Sequence, residues 1–117
     1  MNKRNVGSKK EILAADYLKD NNISILEMNY RNRFGEIDII ARDGNTLVFV
    51  EVKYRKTASC GSPEEAVNYR KIRTICKVAD YYRVVKNINP TMQCRFDVIA
   101  ICGNTINWHR NAFEYVT

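Results

Sequence analysis

Histidine and paired cysteines are almost missing from this chain. Its one histidine is His109, and Cys60, Cys76, Cys94 and Cys102 include no Cys-x-x-Cys pair. Zinc ribbons and fingers, which need such spacing, are excluded, and His109 alone makes no catalytic dyad. No stretch approaches the roughly 18 consecutive apolar residues of a membrane helix. The amino-terminal MNKRNVGSKKE is charged and lacks the apolar core of a signal peptide. There is no internal repeat, linker or low-complexity segment. These absences predict a cytoplasmic protein with no membrane partner and with reduced thiols, Cys76 and Cys102 falling in apolar stretches as core residues.

What the chain has in excess is positive charge. Nineteen lysines and arginines stand against thirteen acidic residues, a formal net charge of +6. That balance favours a polyanionic partner, nucleic acid in the first place. A hydrophobic fraction of 45% over 117 residues suits one globular domain, and a chain of this size buries roughly 65% of its unfolded surface without staples.

The most informative stretch is GEIDIIARDGNTLVFVEVK, Gly35 to Lys53. Two apolar strand-like runs meet at Asp43-Gly44, a strong hairpin signal. A two-residue loop there sets Arg42 opposite Asn45, Asp38 opposite Phe49 and Glu36 opposite Glu51. Glu36, Asp38, Glu51 and Lys53 then project from one face. Three carboxylates at about 5 Å repel by about 3 kcal/mol per pair at an effective dielectric near 20. A positive partner has to offset this. Lys53 is one, and Mg²⁺ or Mn²⁺, which prefer oxygen ligands, is another.

Upstream, Ser8-Lys9-Lys10-Glu11 has the pattern of a capping box opening a helix to about Asp20, with Ile12, Ala15, Tyr17 and Leu18 available to its buried side. Glu11 fits the capping position but also shares a face with Ala15 and Leu18, which aims it inward. Ile23 to Asn32 reads as a first strand ahead of the hairpin, giving an antiparallel meander. Thr46 to Val52, apolar on both faces, reads as a central strand covered on each side. Ser62-Pro63-Glu64-Glu65 opens a second helix to about Lys86, with Ala66, Tyr69, Ile72, Cys76 and Ala79 inward and Arg70, Arg73 and Lys77 on a neighbouring face. Cys94 to Cys102 alternates as a fourth strand, with Arg95 and Asp97 a structural ion pair. Gly103-Asn104 turns into a last short strand, TINWHR, with Trp108 and Phe113 in the core.

Helix, three strands, helix, strand, with acidic residues on the second and third strands and an E-x-K on the third, resembles the PD-(D/E)xK nuclease superfamily. The whole chain resembles more closely the YraN family of bacterial proteins, similar in outline to archaeal Holliday junction resolvases. The matching residues are Gly7, Glu11, Asn29-Tyr30-Arg31, GEIDIIA from Gly35, VFVEVKYR from Val48, Gly61-Ser62-Pro63, Ala66-Val67, Lys71, Arg95-Phe96-Asp97 and Asn111-Ala112-Phe113. The resemblance implies an α/β fold, a restriction-endonuclease-like αβββαβ core whose mixed sheet is flanked by helices on both faces, as a single nuclease-like domain over residues 1–117. It implies that Asp38 and Glu51 hold a divalent metal, that Lys53 orients or activates the attacking water, and that Glu11 is the helix-borne acidic residue of the site, with Glu36 accessory. Arg31, Arg33, Arg55, Arg70, Lys71 and Arg73 are the candidates for contacts to the nucleic-acid backbone, which position without reading sequence. The expected activity is a Mg²⁺- or Mn²⁺-dependent endonuclease acting on DNA, branched or structured DNA included. The alternative is a non-catalytic nucleic-acid-binding protein that keeps the same fold. Junction resolution would favour a homodimer, because two strands must be cut symmetrically.

Overall fold

The structure is a computed structural model that describes residues 3–56 and 67–117, with side chains from Lys9 onward. Its elements run α1 (Lys3–Asp20), β1 (Ser24–Asn32), β2 (Gly35–Asp43), β3 (Thr46–Arg55), α2 (Tyr69–Val85), β4 (Gln93–Cys102) and β5 (Thr105–Phe113). The strands lie side by side in chain order, antiparallel except for the parallel pair β3 and β4, which α2 connects. This is the mixed α/β sheet of the αβββαβ core, with β3 at its centre as its two-faced apolar sequence predicts.

Alternation along the strands builds a core on each face of the sheet. On one face Ile39, Ala41, Val48, Val50, Ile99 and Ile101 pack against Ala14, Ala15 and Leu18 of α1. On the other, Ile37, Ile40, Leu47, Phe49 and Phe96 pack against Ile75, Cys76, Val78, Ala79 and Tyr82 of α2. Trp108 joins the first cluster and Phe113 the second, both partly buried.

Several local expectations change. The capping-box pattern predicts a helix start at Ser8, but α1 begins at Lys3. No proline stands upstream to stop the helix, so Glu11 is an interior residue and its capping role is gone. Ile12 is 55% exposed, and Ala14 takes the buried place beside Ala15 and Leu18. The proposed second start, Ser62 to Glu65 with Ala66, lies outside the described residues. The helix ending at Val85 starts at Tyr69, where Asn68 is the N-cap and accepts a 2.8 Å hydrogen bond from the Lys71 amide. Tyr69 itself is 62% exposed rather than inward. Cys102 is buried but disulfide-bonded, against the expectation of a reduced thiol. Cys76 and Cys94 are free.

The hairpin also turns one residue later than the Asp43-Gly44 pattern suggests. Asp43 pairs with Thr46, leaving Gly44-Asn45 as the loop, and Gly44 takes the corner at φ 58°. Glycine adopts this left-handed conformation without the penalty that a side chain would bring. Every cross-strand pair therefore moves by one residue on each strand: Ile40 opposes Phe49 and Ile39 opposes Val50. Two changes of one residue preserve parity, so the inward and outward sets of the paired region survive. At the preceding β1–β2 turn, a Cβ on Gly35 would lie 2.7 Å from Thr74 Cγ2, so only glycine lets this turn sit against α2.

Candidate functional site

The expectation that Glu36, Asp38, Glu51 and Lys53 share one flat face fails at a specific point. Ile37 packs on the α2 side of the sheet and Ile39, two residues on, packs on the α1 side. Residues two apart on a regular strand share a face, so β2 is irregular at Asp38. The β2–β3 ladder stops at Ile39 and Val50. On the outer side, Asn29 has φ 53° and lies between the Met28–Ile39 and Tyr30–Ile37 pairs of β1 and β2. Beyond Ile39, β2 and β3 part. The Asp38 carboxylate fills the seam and accepts a 2.8 Å hydrogen bond from the Val52 amide, in place of a backbone carbonyl.

Four elements deliver charged groups to this seam. Glu11 lies one turn before Ala14 and Ala15, the residues that seat α1 on the sheet, and therefore faces the strands. Glu11, Glu36 and Asp38 each offer a carboxylate oxygen, all within 4.8 Å of one another. Glu51, only 6% exposed, comes from β3; its Oε1 lies 3.8 Å from both Lys53 Nζ and Lys71 Nζ. Lys71 projects from the first turn of α2, so helix and strand close on the same carboxylate. Glu36 is held at the rim by Arg31, whose Nη2 donates to Oε2 at 2.7 Å.

Protons join the carboxylates. Burial, then the charge of Asp38, raises the Glu11 pKa to about 7, and hydrogen bonding to Asp38 adds to the rise while Asn29 opposes it. Glu51 is also raised to about 7, by burial first and then by Asp38, against the pull of Lys71 and Lys53. Asp38 is raised by burial, while the Val52 amide, Lys71 and the hydrogen bond with Glu11 favour its charged form. Asp38 is thus the acceptor at the centre, flanked by two glutamic acids that keep their protons to near neutrality.

A pH dependence follows. Folded Glu11 and Glu51 bind protons more tightly than their ordinary 4.5, so the folded state holds more protons between there and about 7. Stability falls as pH rises through that window and levels off above it. Melting temperatures recorded across it without divalent cation are expected to show the fall, and Glu51→Gln to flatten it. An unchanged slope in that variant would rule out Glu51 as a contributor.

A model of the uncharacterised protein family UPF0102 matches residues 10–101. A UPF0102 protein of Lachnoclostridium phytofermentans is 46% identical over 114 residues, covering 97% of both chains. One from Persephonella marina is 44% identical over 108 residues, covering 92% of both. This chain belongs to family UPF0102. A further relative, from Clostridium botulinum, is 45% identical with 95% of each chain covered.

In this UPF0102 chain the structure brings together Glu11, Glu36, Asp38, Glu51, Lys53 and Lys71, and Arg31 at their edge. Of the remaining basic candidates, Arg33 stands over Phe34 and Tyr81, Arg73 over Tyr69, and Arg55 and Arg70 are exposed. Two participants escape the sequence reading. Lys71 reads there as a phosphate contact, but it pairs with Glu51, an arrangement that depends on how α2 packs over β3. Asn29, which reaches Glu11, sits inside a strand; its only sequence signal is an asparagine, the residue type besides glycine that most readily takes positive φ.

Proposed function

We propose that this protein is a metal-dependent endonuclease of the PD-(D/E)xK type that hydrolyses DNA phosphodiester bonds in the cytoplasm, branched or structured DNA among its substrates. The observation that carries the reading is the convergence of Glu11, Glu36 and Asp38 within 4.8 Å at a seam where Glu51 and two lysines close the other side. A fold has no need to gather carboxylates that remain stable together only by holding protons.

The donor set fits Mg²⁺ or Mn²⁺. It is all oxygen, the preference of hard cations. Asp38, Glu51 and Glu11 would hold the ion, with Glu36 accessory. When bound, it would supply charge neutralisation for the phosphoryl group and a water acidic enough to give hydroxide near neutral pH. Lys53, on the strand edge beside Glu51, would orient the attacking water and meet developing negative charge. Lys71 holds Glu51 from above and keeps its carboxylate turned into the seam. Arg31, paired with Glu36 at the rim and exposed, would meet an incoming phosphate.

The test is incubation with labelled duplex, single-stranded, flap and four-way DNA in Mg²⁺, Mn²⁺ or chelator. Cleavage of at least one class in cation and of none in chelator is expected. A panel left intact while salt-sensitive binding persists would sink the nuclease in favour of the binding protein.

A further inference from the structure

The outer surface of α2 carries a second set of features that the carboxylate site does not use. Arg70, Arg73 and Lys77 are exposed along it. Aromatic rings interleave with them: Tyr69 is 62% exposed beneath the Arg73 guanidinium, and Tyr81 is 38% exposed one turn beyond Lys77. The β1–β2 turn brings Phe34, also 38% exposed, against Tyr81 with ring centroids 5.7 Å apart. Arg33 covers this pair, its Cζ 4.8 Å from the Phe34 centroid and 5.8 Å from that of Tyr81. Lys77, Asp80 and Val84 complete a shallow groove of about 310 Å³ around the two rings. The one acidic member, Asp80, accepts a 2.6 Å hydrogen bond from the Tyr115 hydroxyl.

Phe34 and Tyr81 pack edge-on against each other, yet each keeps more than a third of its surface open among cations. Base–aromatic stacking beside a basic track is how proteins hold single-stranded nucleic acid without reading its sequence, and guanidinium planes stack on bases as well. The placement matches the candidate site. Tyr81 is ten residues along α2 from Lys71, about 15 Å. Phe34, in the turn before β2, is four residues from Asp38, at most about 13 Å of extended chain. Both spans are comparable with the rise of roughly four stacked nucleotides at 3.4 Å per step.

We infer that Arg33, Phe34 and Tyr81 form a stacking platform for unpaired DNA, with Arg73 and Lys77 following its phosphates toward the carboxylate seam. The inference rests on the nucleic-acid reading above and adds a substrate class, DNA with a single-stranded arm. Duplex DNA keeps its bases stacked internally and cannot use the platform.

The experiment measures fluorescence anisotropy of a labelled oligothymidylate and of a blunt duplex of equal length, in chelator so that no cleavage enters. Phe34→Ala combined with Tyr81→Ala should weaken oligothymidylate binding at least about fivefold, the low end for one lost stack. Duplex binding should stay within about twofold. Phe34→Leu with Tyr81→Leu, which keeps bulk without rings, should repeat the loss if the alanine variant folds poorly. Phe34→Tyr with Tyr81→Phe should restore parent affinity. Equal losses on both DNAs, no loss on the single strand, or a parent that binds no oligothymidylate would each overturn the platform. A protein that binds through these rings yet cuts nothing would instead remove the nuclease and leave the platform standing.

Discussion

Asp38→Asn is expected to remove divalent-cation binding and DNA cleavage together while raising the melting temperature of the cation-free protein above pH 7. The two effects have one origin. Asp38 accepts the Val52 amide at 2.8 Å, which an asparagine oxygen can also do, so the seam should keep its shape. What disappears is the negative charge that pushes up Glu11 and Glu51. Above their raised pKa values, removal of one like charge from a buried group relieves repulsion. The same charge is the centre of the proposed ion site. Its loss should lower the cleavage rate by at least about a thousandfold, the upper range for deleting one preorganised transition-state donor. Calorimetric titration of Mg²⁺ or Mn²⁺, a cleavage assay and a thermal melt on the same preparation decide it. A variant that binds cation like the parent would detach Asp38 from any metal role, and a lower melting temperature would show that the carboxylate serves the fold.

Asp97→Ala should produce the largest loss of stability, about 3–5 kcal/mol, the range for removing one partner of a buried ion pair. Asp97 is fully buried. It accepts from Arg95 Nε at 3.1 and 3.2 Å, from Trp108 Nε1 at 2.9 Å and from the Asn111 amide at 2.9 Å. Arg95 continues to Asp43 at 2.9 Å, tying the end of the β2–β3 hairpin to β4 and β5. Alanine would leave an indole N–H, a backbone N–H and part of a guanidinium charge without their acceptor. Urea denaturation should show the midpoint falling with an unchanged slope. A loss below about 1 kcal/mol would mean that water replaces the carboxylate. Asp97 lies outside the carboxylate seam, so what cation affinity the folded fraction has should not change.

These two aspartates separate what a linear reading can reach from what it cannot. The ion pair of Arg95 and Asp97 was legible because residues two apart on a strand share a face, and β4 keeps an unbroken register with β3 there even though its pairing with β5 shifts between Phe96 and Val98. The same rule, applied to Glu36 and Asp38, gave the right members of a cluster and the wrong geometry. It presumes an unbroken ladder, whereas β2 changes face between Ile37 and Ile39. Nothing local announces the break; it arises where β2 must follow β1 while β3 follows β4. The turn at Gly44-Asn45 differed for a simpler reason, since two adjacent dipeptides compete for the corner and the glycine takes the position of positive φ. The order of elements and the central place of β3 came through clearly, since each depends on composition over whole segments. Lys71 and the Cys102 disulfide depend on contacts between distant parts of the chain, which one sequence does not display.

The bond from Val52 to Asp38 also changes what the sheet is. An ordinary rung of a ladder joins a backbone amide to a backbone carbonyl, groups whose chemistry does not vary with the solution. Here one rung belongs to a carboxyl that gains and loses a proton and would share its electrons with a cation. Were a cation held there as proposed, the main chain of β3 would register it through this one bond. Architecture and chemistry meet in a single hydrogen atom.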